Sequence, residues 1–127
     1  MKNYKYLQIA ALLGALAVGI GAFGAHGLSE TLASYGTAET FETAVKYHFY
    51  HVMALLVCSL LMDTYPENRK LKNAFWLFFT GILIFSGSLY ILSLTGVSWL
   101  GAITPIGGVA FIAGWIMMLL SAKPKNL

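Results

Sequence analysis

The stretch that decides the fold is residues 73–122, NAFWLFFTGILIFSGSLYILSLTGVSWLGAITPIGGVAFIAGWIMMLLSA. These 50 residues lie between Lys72 and Lys123 and include no Asp, Glu, Lys, Arg or His. A helix crosses the hydrocarbon of a bilayer with about 20 apolar residues. The stretch is too long for one crossing and fits two, with a break near Gly96. Working outward, 16 uncharged residues separate Lys46 from Asp63, and 24 separate Lys5 from Glu30. Each of these gaps fits one crossing, the former once Ala44 and Val45 are added. The expected spans are therefore Leu7–Ala25, Ala44–Met62, Asn73–Leu94 and Thr104–Ser121.

Composition agrees. Of 127 residues, 58% are hydrophobic and 10% charged, where a soluble domain carries about 25% charged residues. So little charge cannot cover a water-facing surface, and so much apolar area excludes disorder. The expectation is an all-α integral membrane four-helix bundle, one domain over residues 1–127. A secretory signal peptide is the rival reading of the first segment, with Lys2 and Lys5 as its basic start. The apolar run is longer than a signal core, so the segment reads as a retained span. Cys58, alone, cannot form an internal disulfide and reads as a small buried apolar residue.

Lys and Arg mark the cytoplasmic flanks of membrane spans. Lys2 and Lys5 precede the first span, Arg69, Lys70 and Lys72 lie between the second and third, and Lys123 and Lys125 follow the fourth. Four crossings put these seven on one side, leaving only Lys46 on the other. Both termini are expected in the cytoplasm. The same reading accounts for the basic balance as topology and anionic-lipid contact, without a nucleic-acid partner.

In the first span, Ala11, Ala15, Gly19 and Ala22 form a small-residue stripe suited to close helix packing. His26 continues it and is expected to point into the bundle. A short helix over Glu30–Tyr35, capped by Ser29 and stopped by Gly36, is expected on the outer membrane surface. Thr37 reads as the cap of the second long helix, with Glu42 and Lys46 placed for a surface ion pair. On that helix Ala44, Tyr47, His51, Ala54 and Cys58 share one stripe, with His48 on an adjoining face. Ser86-Gly87-Ser88 permits close approach and bending in the third span. Thr104-Pro105 opens the fourth, whose Gly107, Gly108, Ala110 and Gly114 form a packing face. Trp76 and Trp115 read as membrane-typical aromatics.

Sorted by depth, the polar side chains are lopsided. The outer half holds His26, Tyr47, His48, His51, Ser88, Tyr90 and Thr104, with Ser86 near the midplane. The inner half holds only small polar groups such as Ser59 and Thr80. A conductor needs polar groups or water through the full depth, so a one-subunit ion or proton path is disfavoured. A recess open to the outer side fits better.

Four stretches together resemble a known family: GAFGAHGL at 21–28, TAVKYHFYH at 43–51, FSGSLY at 85–90, and TPIGG at 104–108 with Gly114-Trp115. They are similar to small membrane proteins of the YgdD/YwdK type, domain of unknown function 423 in the UPF0382 group. The resemblance covers nearly the whole chain. It implies a multi-pass protein of the bacterial plasma membrane and no established reaction, and it falls on His26, Tyr47, His51, Ser86, Tyr90, Thr104 and Pro105. Family members tend to carry glutamine at the position of His48, which weakens any mechanism needing two histidines on the second helix.

These residues support no catalytic arrangement, metal site or cofactor. His26, His48 and His51 have no Cys or Asp partner on their side, and no acid at core depth orients a histidine. The favoured expectation is that His26, Tyr47, His48, His51, Ser86, Ser88, Tyr90 and Thr104 form an interhelical polar cluster, because hydrocarbon supplies no hydrogen-bond partners. The protein then reads as a non-enzymatic accessory or lipid-interacting module, with membrane lipids as partners and homo-oligomers through small-residue faces. The alternative is a binding or transport protein whose outward recess is lined by His26, Tyr47, His51 and Tyr90.

Overall fold

The computed structural model describes residues 1–123, so Lys125 lies outside the described residues. Helix α1 spans Tyr4–His26, α2 Ser29–Tyr35 and α3 Ala38–Thr64. Helix α4 (Arg69–Gly81) continues through a π-helical turn (Ile82–Ser86) into α5 (Gly87–Thr95), so that all three form one rod. A 3-10 turn over Ser98–Ala102 leads into α6, Thr104–Ser121. Four of these rods are long and apolar enough to cross a membrane: Tyr4–His26, Ala38–Thr64, Arg69–Thr95 and Ser98–Ser121. Each expected apolar segment lies within one of them. Leu12, Val18, Met53, Val57, Leu83, Val109, Ile112 and Leu119 project outward from them. Such an apolar belt is unfavourable in water and suited to lipid.

Helix α3 is the hub. It packs α1 on one side and the α4–α5 rod on another, and that rod packs in turn on α6. The loop ends bring α2 over α5, α3 and α1. The N-terminus, the α3–α4 turn and the end of α6 meet at the opposite, terminal end. There Asn3 Nδ2 donates to the Met62 carbonyl at 2.9 Å, and the Lys2 amide donates to Asp63 Oδ1 at 2.9 Å. Asn68 serves two helices at once. Its Oδ1 accepts the Lys70 amide at 3.2 Å, and its Nδ2 donates to the Ser121 carbonyl at 3.0 Å. It thus caps the start of α4 and the end of α6, where backbone groups lack helical partners.

The structure corrects the expected packing face of α1. Ala11, Ala15, Gly19, Ala22 and His26 are exposed, while Ala10, Leu13, Ala17 and Gly24 are buried. The real contact runs antiparallel along α3, with Gly24 beneath the Phe41 ring, Gly21 beneath Val45 and Gly14 beside Val52. Both candidate faces carry small residues, and α1 is apolar all round, so periodicity alone does not say which turns inward. The caps differ too. Leu28, not Ser29, is the N-cap of α2, and Thr37 caps α3 by position only, its hydroxyl engaged elsewhere. Gly36 and Gly96 end α2 and α5 at φ of +66° and +70°, a left-handed conformation that favours glycine.

Close approach is tightest between α6 and the π turn. A Cβ at Gly107 would stand 2.3 Å from the Phe85 backbone nitrogen. The π turn's widened ladder is seen where the Gly87 amide reaches the Ile82 carbonyl. The buried apolar core, including Leu55, Cys58, Leu71, Phe75 and Phe78, fills the terminal half. Among the described residues, the buried polar Thr37, His48, Ser86, Ser88, Ser93 and Thr104 sit toward the loop end, His51 at the midpoint of α3, and Ser59 in the terminal half.

Candidate functional site

His51 is buried, 5% exposed, where α3 faces α6. Its ring stacks on Phe111 with centroids 3.6 Å apart and planes 8° from parallel. Nδ1 lies 2.8 Å from the Tyr47 carbonyl, one turn back. A carbonyl only accepts, so Nδ1 carries the proton. Nε2 is then an acceptor, and the Trp115 indole N–H donates to it at 3.1 Å. This network assigns a neutral ring with both nitrogens occupied. Trp115 and Phe111 were not among the residues expected at the site. The sequence signals for them are the i, i+4 spacing of Phe111 and Trp115 and the Gly114-Trp115 pair in the stretch that carries the family resemblance.

His48, 3% exposed, faces α1 and α5 instead. Its Nδ1 lies 2.8 Å from the Tyr90 hydroxyl on α5. Its Nε2 is buried with no hydrogen-bond partner. The Leu13 carbonyl of α1 interacts with this ring without meeting hydrogen-bond geometry. If Nδ1 accepts from Tyr90, Nε2–H is the one unmet group. The other tautomer would leave the Tyr90 proton and the Nε2 lone pair both unmet, so the first is favoured.

The hydroxyls tie the rods together. Ser86 Oγ, at the end of the π turn, donates to the Ala44 carbonyl of α3 at 2.8 Å. Ser88 and Thr104 bond each other at 2.7 Å, joining α5 to α6. Thr37 Oγ1 donates to the Ser93 carbonyl at 2.7 Å, anchoring the start of α3 to α5. The expected residues therefore divide. His48 pairs with Tyr90, and Ser88 with Thr104, while His51 and Ser86 bond backbone or Trp115. Tyr47 is 40% exposed and contributes its carbonyl and a ring packed on Phe85 at 4.8 Å. His26 lies exposed at the end of α1 and takes no part. None of His26, Tyr47, His51 and Tyr90 lines the cleft at the loop end or the groove at the terminal end. Among the described residues no three His, Cys, Asp or Glu side chains converge as ion ligands.

The recess at the loop end lies elsewhere, among α1, α2 and α3. It has a volume of about 560 Å³. Its floor is Leu32, Phe41, Val45 and the glycines Gly21 and Gly24. Its rim carries Ser29 and the Glu42–Lys46 pair, the latter 3.2 Å apart. A larger groove of about 680 Å³ lies at the terminal end beside Arg69, Lys70 and Lys123. Two of its donors are already engaged in capping α6, Asn68 on Ser121 and Lys70 Nζ on the Leu120 carbonyl at 3.2 Å.

The family model "protein of unknown function (DUF423)" matches residues 20–108. The UPF0382 membrane protein YwdK of Bacillus subtilis is 48% identical over 117 residues, 92% of this chain and 94% of YwdK. This chain belongs to the UPF0382 (DUF423) family of membrane proteins. UPF0382 members from Staphylococcus aureus (strain bovine RF122 / ET3-1) and Staphylococcus haemolyticus are 47% and 46% identical over 116 residues, each match covering 91% of this chain and 93% of the relative. These UPF0382 names state a membrane protein and no activity. No solved structure matches the chain.

Proposed function

We propose that this UPF0382 protein is a non-enzymatic, multi-pass module of the bacterial plasma membrane that holds a lipid-like amphiphile in the α1–α2–α3 cleft. The observation that carries this reading is the cleft's composition. An apolar floor of Leu32, Phe41 and Val45 lies under a rim of Ser29, Glu42 and Lys46. Its volume of about 560 Å³ falls in the usual small-molecule range of roughly 300–1,000 Å³. The floor suits a hydrocarbon chain and the rim suits a polar head. The occupied nitrogens of His51 support a scaffolding role for that histidine rather than a catalytic one.

Orientation follows from charge. Lys2, Lys5, Arg69, Lys70, Lys72 and Lys123 belong to the terminal end, which we assign to the cytoplasm. The cleft then opens at the extracytoplasmic leaflet. Native mass spectrometry of the detergent-purified protein tests the reading. The wild type retains one amphiphile per chain, and Ala33→Trp, which fills the exposed cleft wall, releases it. Equal retention by both proteins contradicts the proposal.

A further inference from the structure

The groove at the terminal end opens between the last turns of α3 and α6, over the first turn of α4, and encloses about 680 Å³. Leu61, Leu71 and Leu120 form its apolar wall, and Arg69, Lys70 and Lys123 are its cations. It lies where the apolar rods give way to charge. Leu119 and Leu120 project outward, and Lys123 follows three residues on. This is the boundary between hydrocarbon and headgroups, a depth that favours tyrosine, and Tyr65 lines the groove.

The positive charge there is not matched by the protein. Of the five acidic residues, only Asp63 and Glu67 belong to the terminal end. Asp63 Oδ1 accepts the Lys2 and Asn3 amides, at 2.9 and 3.3 Å, and so is turned to the N-terminus. Among the described residues the one ion pair, Glu42–Lys46, is at the loop end. No acid stands in the first turn of α4. Three cations against Glu67 leave the groove with a surplus of two positive charges. Lys70 is also fixed in place. Its Nζ donates to the Leu120 carbonyl at 3.2 Å, which uses one of the three ammonium hydrogens and leaves two.

The complement is a net negative phosphate with hydrocarbon attached. A free phosphate leaves the leucine wall without a partner. A zwitterionic headgroup brings an ammonium of its own against three cations. We infer that this groove docks the headgroup of an anionic phospholipid, its phosphate among Arg69, Lys70 and Lys123 and its acyl chains out along Leu61 and Leu120. A guanidinium meets a phosphate through paired N–H donors, which makes Arg69 the strongest single contact. Lys70 already holds the α6 terminus, so a seated phosphate ties the start of α4 to the end of α6. The site is separate from the α1–α2–α3 cleft, at the opposite end of the bundle.

The test titrates full-length protein in detergent with dioleoyl phosphatidylglycerol or dioleoyl phosphatidylethanolamine. Native mass spectrometry counts the lipid bound beyond any that co-purifies. One phosphatidylglycerol per chain is expected, held about tenfold more tightly than phosphatidylethanolamine. Arg69→Gln with Lys123→Gln weakens it about tenfold, and Lys123→Gln alone about fivefold. Lys2→Gln with Lys5→Gln removes as much charge from the same end but outside the groove, and changes binding by less than about twofold. All four side chains are exposed, so the variants are expected to melt like the wild type without added lipid. Equal binding of the two lipids overturns the inference. So does an equal loss in the two double variants, which is diffuse attraction and not a site. Loss in Ala33→Trp but not in the Arg69 and Lys123 variants puts the anionic lipid in the cleft and overturns it as well. Glycerol phosphate that competes as well as the whole lipid makes the site one for a soluble phosphate, and overturns the lipid assignment.

Discussion

The Trp115 indole donates to Nε2 of His51 across 3.1 Å while Phe111 lies flat on the imidazole, so one histidine joins α3 to two residues of α6. The bond and the stack are mutually supporting, since the ring plane that suits Phe111 also aims Nε2 at the indole. Trp115→Phe removes the donor and leaves a buried acceptor unmet. In membrane proteins such bonds are worth about 0.6–2 kcal/mol. The expected loss of stability in detergent unfolding is in that range. His51→Ala costs more because it also removes the stack. The double variant is expected to lose less than the sum of the two, and strict additivity would mean that the pair is not coupled.

The contact between Gly107 and the π turn makes a sharper contrast. A methyl at Gly107 meets the Phe85 backbone nitrogen at 2.3 Å, whereas one at Gly108 approaches only the Phe85 ring, at 3.8 Å. Backbone cannot swing aside. Gly107→Ala is expected to cost about 1–3 kcal/mol by forcing α6 away from the π turn. Gly108→Ala is expected to be close to neutral. Paired thermal melts of the two variants decide this, and equal melting temperatures would contradict the packing.

Asn68 separates two roles in one side chain. Asn68→Asp keeps the oxygen that accepts the Lys70 amide but loses the amide donor to Ser121. Asn68→Ala loses both. Removing an N-cap alone costs about 1 kcal/mol, so the alanine variant is expected to be the less stable of the two. Amide exchange near Ser121 is expected to rise in both variants. Unchanged exchange there would show that the α6 cap is not maintained by Asn68.

The corrected face of α1 gives a third contrast. Nothing lies within 4 Å of a Cβ built on Gly19, while one on Gly24 would overlap the buried Phe41 ring at 2.1 Å. Gly19→Leu is expected to be tolerated and Gly24→Leu to detach α1 from α3. Crosslinking between cysteines introduced on α1 and α3, in a Cys58→Ser background, reads the detachment directly. Loss of crosslinking in the Gly19 variant instead would restore the face read from the sequence.

Some of this was legible before any coordinates. The charge-free runs give the four rods because burying charge in hydrocarbon is costly. Gly36 ends α2 as expected, and Pro105 sits in the first turn of α6. The position of Ser86, Ser88 and His48 toward the loop end follows from counting residues along each rod, whereas His51 falls at the midpoint of α3 rather than in the outer half. What could not be read is which way a wholly apolar helix turns. In α1 the stripes Ala11–Ala22 and Ala10–Gly24 both carry small residues, Leu13 apart, and that ambiguity misplaces His26. The partner of His51 was also hidden, because an indole at membrane depth reads as a lipid-facing aromatic until a ring acceptor is placed opposite it. Thr37 shows a third limit: its position favours a cap, but the Ser93 carbonyl, 56 residues away, takes the hydroxyl.

The proposed occupancy of the α1–α2–α3 cleft places hydrocarbon from a bound amphiphile over Phe41 and Val45. Photocrosslinking with a lipid carrying a diazirine midway along its acyl chain, followed by peptide mass spectrometry, tests it most directly. Adducts are expected on Leu32, Phe41 and Val45, lost in Ala33→Trp, in addition to those on outward residues such as Val18 and Ile112. Adducts confined to the outward residues, unchanged in Ala33→Trp, would contradict it.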